Sequence, residues 1–424
     1  MTSAAVEAAI ARLPEAAANG WLARPVAPVG TGTPGTGPLA GLRWFSKDLF
    51  AVEGLTTVAA SKALADDPPA VHDSFAVARL RETGAALIGT TNMDSLAYGF
   101  VSRTELYGTA RNPHDPTRLC GGSSGGSAAV VAAGIVPFAL GTDTSGSVRV
   151  PAALCGVIGV KPSLGRFSKS GVQTLSPSLD HVGFFADTLD RARQVYDVLD
   201  APDPDDAEQR RFADSDPAAP RKVGLLGGHF ADNMEPAIAE AIGEAARAFG
   251  AEPVEAPLST RARAAAYTIV AAEAARTHAE RLRTRRHLFD TAIRDRLTAA
   301  LLIPDAWIAE ARAVGAAYTA EFDALFERFD MLIAPTVPCL APPAEDALAM
   351  LPGTNIPLRA ALGLYTQPIS LLGLPVITVP LATSTGLPTG IQLIGPMGGE
   401  ARLFAAATRL IEGCRITAAA AGTR

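Results

Sequence analysis

Two turns rich in glycine and serine lie close together in the sequence and carry its densest set of groups suited to nucleophilic chemistry. The first turn spans residues 121–126 (GGSSGG) and the second spans residues 142–147 (TDTSGS). Small residues let the backbone approach a ligand closely. Serine hydroxyls can form an acyl-enzyme, and backbone amides in a turn can hold the oxyanion of a tetrahedral intermediate. A lone lysine upstream, Lys47 in the stretch FSKDL, could serve as the base.

Lysine acts as a base only when it is neutral, and burial favours the neutral form because it disfavours the charge. Lys47 follows an apolar stretch at residues 42–45, where burial is expected. A hydroxyl both donates and accepts hydrogen bonds, so one serine can relay a proton from a second serine to the lysine. The sequence therefore favours a Ser-Ser-Lys relay in which the second serine attacks a carbonyl.

Two other interpretations of the same turns are weaker. Residues 121–125 match the GxSxG pattern of serine hydrolases, with His181 as the best candidate base. That motif needs a strand directly before the serine, and the prolines and turn formers at residues 112–118 make a strand implausible there. A packed or surface position is the plainer interpretation of His181. A phosphate-binding loop would need the spacing GxxxxGK(S/T), which the sequence lacks.

The composition indicates a globular protein that acts on a small molecule. The chain has 424 residues, of which 48% are hydrophobic and 19% charged, and a net charge of -6. Neither a basic footprint for nucleic acid nor a polybasic surface for anionic lipid is expected. No apolar run is long enough to span a membrane, and the first residues lack the basic and apolar regions of a secretory signal, so we expect a cytoplasmic protein. Four cysteines without CxxC spacing predict buried thiols, with no metal or cofactor.

The hydrophobic pattern alternates between strands and helices from Leu42 onward, which predicts an α/β layer structure. Short strands are expected at residues 86–89, 136–140, 157–160, 222–226, 331–334, 375–381 and 390–394. Helices are expected at residues 2–18, 124–133, 236–249, most of 260–328, and 400–412. A GxGxxG match at residues 30–35 is not taken as a dinucleotide site, because no strand precedes it and no helix follows it.

These elements predict three parts of the chain. Residues 1–38 are expected to form an N-terminal helix and a Pro/Gly connector. Residues 39–413 are expected to form one domain with a helical insertion around residues 230–328. Residues 414–424 are small and polar and are expected to form a flexible tail.

Lys47, residues 121–127 and residues 141–163 closely resemble the amidase signature family. Ser123 and Ser147 are 24 residues apart, which is the spacing of that family's two serines. Further similar segments lie at residues 89–94, 178–183 and 388–395. The resemblance covers about residues 37–413 and implies the α/β amidase signature fold, a mixed central β-sheet covered by helices on both faces.

The resemblance also implies roles for individual residues. Ser147 corresponds to the acyl-forming nucleophile and Lys47 to the general base. Ser123 corresponds to the relay serine, and its peptide bond to Gly122 is expected to be cis. The relay derived from the residues and the roles implied by the family therefore agree.

The same resemblance assigns the second turn to the oxyanion hole, formed by the backbone amides of Thr144, Ser145, Gly146 and Ser147. Ser145 replaces a commoner glycine, so backbone strain is expected there if the position requires a positive φ. Asp143 and Arg149 flank the nucleophile and are expected to pair and brace the turn.

A narrower likeness, in residues 98–101, 299–307 and 364–375, is to the 1-carboxybiuret hydrolase branch, whose members act on small carboxylated ureido compounds and associate with a small partner subunit. The resemblance implies an amidase that hydrolyses a small amide or ureide through an acyl-enzyme and releases ammonia or an amine. The alternative is the glutaminase subunit of an amidotransferase complex. The resemblance allows a homodimer or a small partner subunit.

Candidate substrate-binding residues, for which core hydrogen bonding is the alternative role, are Asn92, Tyr98, Gly122, Thr366 and Gln367.

Overall fold

A mixed β-sheet of eleven strands runs through the protein and carries Lys47 and the second serine-rich turn at the ends of its strands. The structure is a computed structural model that describes residues 4–25, 37–213, 216–345, 351 and 354–413. Most of the predicted connector, including residues 30–35, and the predicted tail at residues 414–424 lie outside the described residues.

The strands pair in both directions, as predicted for a mixed sheet. Their spatial order is β1-β3-β2-β8-β10-β9-β14-β15-β13-β11-β12, and β4 with β5 and β6 with β7 form two small separate sheets. Strand β2 is parallel to β3 and β8, strand β11 is parallel to β12 and β13, and the other pairs of the large sheet are antiparallel. In chain order the strands are β1 (Leu22–Pro25), β2 (Arg43–Lys47), β3 (Ala86–Thr91), β4 (Arg103–Thr104), β5 (Gly108–Thr109), β6 (Arg111–Asn112), β7 (Asp115–Leu119), β8 (Phe138–Asp143), β9 (Ile158–Lys161), β10 (His181–Ala186), β11 (Val223–Leu226), β12 (Glu252–Val254), β13 (Met331–Pro335), β14 (Val376–Leu381) and β15 (Thr389–Ile394).

Helices cover both faces of this sheet. Neighbouring residues on a strand point to opposite faces. On β2, Trp44 belongs to a hydrophobic cluster with residues of α3 and α6, whereas Phe45 belongs to a second cluster with residues of α4. In chain order the helices are α1 (Ala4–Ala11), α2 (Leu13–Ala18), α3 (Phe75–Glu82), α4 (Gly125–Ala132), α5 (Arg149–Cys155), α6 (Leu189–Leu199), α7 (Pro236–Phe249), α8 (Ser259–Thr277), α9 (Ala279–Thr284), α10 (Thr291–Ala300), α11 (Asp305–Phe326), α12 (Leu358–Ala361), α13 (Gln367–Leu371) and α14 (Glu400–Gly413).

The N-terminal segment differs from the predicted single helix at residues 2–18. Helices α1 and α2 are separated at Arg12, which has φ −96° and ψ 0°. Pro14 lies in the first turn of α2, where a proline is tolerated, but its ring would clash inside one continuous helix. The segment then continues into β1, which pairs antiparallel with β3.

The segment before the first serine-rich turn contains strands, which the sequence interpretation called implausible. Strands β6 and β7 form a hairpin in which Arg111 pairs with Leu119. Pro116 is compatible with β7 because both strands of a two-stranded sheet are edges. The hairpin lies outside the large sheet, so Ser123 still does not follow a central strand as a nucleophile elbow requires.

The predicted helical region at residues 260–328 is formed by α8 to α11, with one short 3-10 turn at Arg286–Leu288. The insertion predicted around residues 230–328 needs one correction, because it also contains β12, which pairs in parallel with β11 at the edge of the sheet. A three-residue strand, EPV, is too short to give a periodic signal. The described helices include none that is both long and apolar enough to cross a bilayer.

Candidate active site

Lys47 ends strand β2 and is completely buried. Its Nζ donates hydrogen bonds to Ser123 Oγ at 2.7 Å and to Thr142 Oγ1 at 2.8 Å. Burial lowers the pKa of Lys47 to about 7, although the charges of Asp94 and Asp143 oppose this change. A large fraction of the amine is therefore neutral near pH 7, and the neutral form is the one that accepts a proton.

The first serine-rich turn holds Ser123 against Lys47. The peptide bond between Gly122 and Ser123 is cis, as the family resemblance implies. The Ser123 carbonyl accepts hydrogen bonds from the Asp94 amide at 3.1 Å and from Ser102 Oγ at 3.3 Å. A Cβ at Gly122 would lie 2.1 Å from Asp94 Oδ2, so glycine is required there. Gly122 shapes the turn and does not line the adjacent cavity.

The second turn connects β8 to α5 and brings Ser147 beside the first turn. The Ser124 amide donates to the Ser147 carbonyl at 3.3 Å. Ser147 lines a cavity together with Thr144 and Ser145, whereas Lys47 and Ser123 are fully buried behind it. Going outward to the cavity, the site therefore contains Lys47, the buried Ser123 and the cavity-lining Ser147.

The Gly146 amide does not take the role predicted for it in the oxyanion hole. Its amide donates to Asp143 Oδ1 at 2.8 Å, so it points at that carboxylate and cannot also serve a substrate oxyanion. The other three amides of the predicted set remain candidates. Gly146 has φ 132°, and a Cβ there would lie 2.2 Å from Thr366 Oγ1. The strain expected at Ser145 is absent, because its φ is not positive.

Asp143 and Arg149 form the predicted ion pair, and both side chains are fully buried. Arg149 Nε and Nη2 donate to the two carboxylate oxygens at 3.0 and 2.9 Å. Further guanidinium hydrogen bonds reach Gln392 Oε1 at 2.8 Å, Ser370 Oγ at 2.6 Å and the Thr366 carbonyl at 3.1 Å. Burial alone would raise the pKa of Asp143, but the Arg149 charge holds it well below its usual range. The pair therefore anchors the turn as a charged, saturated network.

His181 is not arranged as a base for either serine. Its Nδ1 lies 2.8 Å from the Leu179 carbonyl and 3.1 Å from the Asp143 carbonyl. Both oxygens are acceptors, so Nδ1 carries the proton. Burial lowers the pKa of His181 to about 3, which keeps the ring neutral. The neighbouring carboxylate, Asp180, accepts a hydrogen bond from Thr144 Oγ1 at 2.6 Å and so supports the second turn.

A cavity of about 270 Å³ opens at Ser147. Tyr98 and Gln367, two of the predicted substrate-binding residues, lie in its wall. Across the described ranges, no group of His, Cys, Asp or Glu is arranged to hold a metal ion. The cavity is lined by Ala97, Tyr98, Gly99, Phe100, Thr144, Ser145, Ser147, Leu175, Arg263, Tyr267, Val270, Arg296, Pro357, Arg359, Ala360 and Gln367.

Two other predicted pocket residues lie outside this wall. Asn92 is buried, and its Nδ2 donates to the Gly20 carbonyl at 2.8 Å. Thr366 Oγ1 donates to the Ser145 carbonyl at 2.7 Å, which fixes the second turn from behind. Both side chains have the core hydrogen-bonding role that was the alternative for them.

Sequence reasoning missed the three arginines of the cavity wall and several residues that hold the turns. Arg263 and Arg296 lie on α8 and α10, where an arginine in an alanine-rich helix normally faces solvent. Gln392 did leave a signal, since it is a polar residue between the apolar Ile391 and Leu393 of strand β15. The residues that could not be assigned all act through contacts between distant parts of the chain.

The large mixed sheet holds a buried lysine beside two serine-rich turns, the arrangement that the resemblance in the sequence implied. The chain belongs to the amidase family, whose sequence model, described as Amidase, matches residues 21–404. It is therefore an enzyme of the class that hydrolyses carbon–nitrogen bonds other than peptide bonds.

Relatives and solved structures agree with this assignment. The chain is 43% identical to the AtzE subunit of the 1-carboxybiuret hydrolase of Pseudomonas sp. (strain ADP), over 86% of this chain and 82% of that one. It is 35% identical to a glutamyl-tRNA(Gln) amidotransferase subunit of Methanococcoides burtonii, over 88% and 84%. A solved structure of a vestigial protein complex, linked to the origins of an s-triazine catabolic enzyme, matches with a TM-score of 0.86 and 39% identity, over 98% and 90%. A substrate complex of 6-aminohexanoate cyclic dimer hydrolase matches with a TM-score of 0.86 and 27% identity, over 97% and 94%.

Proposed function

We propose that this amidase cleaves a small amide or ureide with Ser147 as nucleophile, Ser123 as relay and Lys47 as base. The observation that carries the proposal is the 2.7 Å contact between Lys47 Nζ and Ser123 Oγ, in a site where the lysine is fully buried. An amine that is neutral near pH 7 and touches a hydroxyl has the chemistry of a general base.

The relay moves one proton to Lys47 and back in each of the two halves of the catalytic cycle, acylation and deacylation. As Ser147 Oγ attacks the carbonyl carbon, its proton passes to Ser123 Oγ, and the Ser123 proton passes to Lys47 Nζ. The carbonyl oxygen becomes an oxyanion that faces the remaining candidate amides of the second turn, those of Thr144, Ser145 and Ser147. The carbon–nitrogen bond then breaks, and the relay returns the proton to the departing nitrogen, which leaves as ammonia or an amine. Water repeats these steps on the acyl-enzyme and frees Ser147.

The substrate we propose is 1-carboxybiuret or a ureide of similar size. The 43% identity to a 1-carboxybiuret hydrolase subunit supports this choice. A cavity of about 270 Å³ suits a small molecule. Tyr98 and Gln367 in its wall supply polar groups that can orient a planar ureide.

Labelling with a fluorophosphonate, followed by mass spectrometry, tests the nucleophile. We expect one adduct on the wild-type protein and none on Ser147→Ala. The matched control is Ser178→Ala, which removes an exposed serine outside the cavity and should label normally. A folded Ser147→Ala that still takes up the probe at another serine would refute the assignment.

A second candidate function is that of a glutaminase subunit that supplies ammonia to an amidotransferase. The 35% identity to a glutamyl-tRNA(Gln) amidotransferase subunit supports it. The two functions are separated by measuring ammonia release from glutamine and from a panel of ureides and small amides. Turnover of glutamine that depends on a copurifying protein would favour the second candidate. Turnover of ureides without any of glutamine would exclude it.

We also propose that the chain works together with a partner subunit. The 43% identical relative is itself named as a subunit, and a neighbour of 39% identity was solved as a complex. The test is purification from the native host, with light scattering to measure the mass of the particle. A particle whose mass equals one or two copies of this chain, with no second polypeptide, would contradict the proposal.

A further inference from the structure

The cavity at Ser147 carries an unbalanced positive charge. Among the described residues that line it, three are arginines, Arg263, Arg296 and Arg359, and none is acidic. Guanidinium groups stay charged at neutral pH. Charges of one sign in a confined space raise one another's energy unless a counter-charge enters. The described part of the cavity wall therefore supplies no anion to balance these charges.

Two of these arginines are held by the protein. The Arg296 guanidinium lies 3.7 Å from the centroid of the Tyr98 ring, and its Nη1 donates to the Tyr98 carbonyl at 2.9 Å. Arg263 Nε donates to Gln367 Oε1 at 3.0 Å, and its Nη2 donates to the Ala360 carbonyl at 3.1 Å. Both guanidinium groups are thus oriented by the cavity wall.

Arg359 differs from Arg263 and Arg296 in its contacts with the rest of the protein. It lies in the short helix α12 and is partly buried, and it makes no hydrogen bond or ion pair with any other described residue. The charge of Arg296 acts on it, and the carboxylate that acts on it is Asp94. Asp94 Oδ2 is already engaged by the amides of Val101 and Ser102 at 3.0 and 2.9 Å. With respect to the described residues, Arg359 therefore offers an unoccupied fork of N–H donors inside a cavity whose described wall has no anion.

We propose that Arg359 binds a carboxylate of the substrate and makes this site select anionic amides and ureides over neutral ones. A guanidinium matches a carboxylate with two parallel hydrogen bonds. The remaining wall, with Phe100, Val270 and Pro357, offers apolar contact to the rest of a small planar molecule. The inference rests on the proposed function of the same cavity and names the charge that the substrate brings to it.

The kinetic test compares two probes of one size, malonamate, which carries a carboxylate, and malonamide, which is neutral. We expect Arg359→Gln to lose about 10- to 100-fold in kcat/KM on malonamate, which corresponds to one charge-assisted pair of hydrogen bonds. Its kcat/KM on malonamide should stay close to that of wild type. Arg359→Lys, which keeps the charge but not the fork, should recover part of the loss.

The matched control is Arg261→Gln, on the same α8 as Arg263 but outside the cavity. It should leave kcat/KM on both probes unchanged. Equal losses on both probes in Arg359→Gln would overturn the proposal.

A binding measurement keeps the inference separate from the proposed function. Titration calorimetry with malonate uses the Ser147→Ala protein, which needs no turnover. We expect malonate to bind and Arg359→Gln to weaken it at least tenfold, while circular dichroism confirms folding. Malonate binding that ignores Arg359 would refute the inference even if amides are hydrolysed. If malonate binding depends on Arg359 but the wild-type protein hydrolyses no amide, the proposed function alone would be refuted. Inorganic phosphate that binds as tightly as malonate would overturn the selectivity for carboxylates.

Discussion

Two buried lysines in this protein have similarly lowered pKa values, but their amines contact different chemical groups. Burial lowers the pKa of both Lys47 and Lys161 to about 7. Lys47 Nζ contacts two hydroxyls, those of Ser123 and Thr142. Lys161 Nζ instead donates to two main-chain carbonyls, those of Pro162, at 3.0 Å, and Leu374. A carbonyl has no proton to give, so only Lys47 can act as a base in a relay. A lowered pKa alone therefore does not identify the catalytic lysine.

The largest expected effect is on activity, and it separates the two lysines. Lys47→Met should lower kcat by about 10²- to 10⁴-fold, because it removes the proposed general base. Lys161→Met removes an equally buried amine and should keep kcat within the same order of magnitude. Steady-state kinetics on any amide that the wild type hydrolyses would measure both effects.

Circular dichroism spectra must first establish that both lysine variants are folded. If Lys161→Met loses as much kcat as Lys47→Met while it remains folded, the distinction between hydroxyl and carbonyl contacts fails.

The comparison extends to a buried charge that is fully paired. Arg149 is buried like the lysines, but its guanidinium is paired with Asp143 and donates hydrogen bonds to three further acceptors. Asp143→Asn should cost about 3–5 kcal/mol in the free energy of unfolding, since it leaves a buried guanidinium without its counter-charge. Urea unfolding at pH 7 measures this loss.

The control for that prediction removes both charges. The double variant Asp143→Asn, Arg149→Met should cost less than the sum of the two single variants, because neither partner is then left unpaired. Additive losses would mean that the two groups do not depend on each other, contrary to the network in the structure.

Much of the fold was predictable because its longer elements have clear hydrophobic periods. The helix at residues 236–249 matched α7, and the late strands matched β13 to β15 to within two residues. The misses included short elements, such as β12 and the β6–β7 hairpin, in which a few residues carry no period. They also included two longer elements for which nothing was expected, the six-residue strand β10 and the eleven-residue helix α6. The break at Arg12 depended on one proline, Pro14, whose effect on an alanine-rich segment was overlooked.

The site was predictable where chemistry is local in the sequence. The Asp143–Arg149 pair lies within one turn and its neighbouring helix, and its formation was expected. The direction of the Gly146 amide was not, because it depends on a φ of 132° and on contact with Thr366 from a distant segment. The role proposed for Arg359 depends on the lack of a hydrogen-bonding partner among the described residues, which no linear pattern reports.

The pH dependence of activity sharpens the comparison further. If Lys47 is the base, kcat/KM should rise with pH through a single ionisation near 7, where the amine loses its proton. Below that pH the rate should fall about tenfold per unit, because one proton blocks the base. A stopped assay from pH 5 to 9 measures the profile, and Lys161→Met should show the same midpoint. A profile that is flat from pH 6 to 8 would exclude a titrating lysine as the base.

The smallest effect concerns stability, and it asks whether Lys161 truly titrates like Lys47. Burial, followed by the charge of Arg149, lowers the pKa of Lys161 in the folded protein, while Asp143 and Glu400 oppose that change. Between pH 7 and about 10 the unfolded chain keeps this lysine protonated and the folded protein does not. The unfolded state then binds more protons, so stability rises with pH in this window. Relative to Lys161→Met, the wild type should gain on the order of 1 kcal/mol per pH unit between pH 7 and 9. Urea unfolding at several pH values measures this difference, and a constant difference would mean that Lys161 keeps its charge and that the two lysines are not alike.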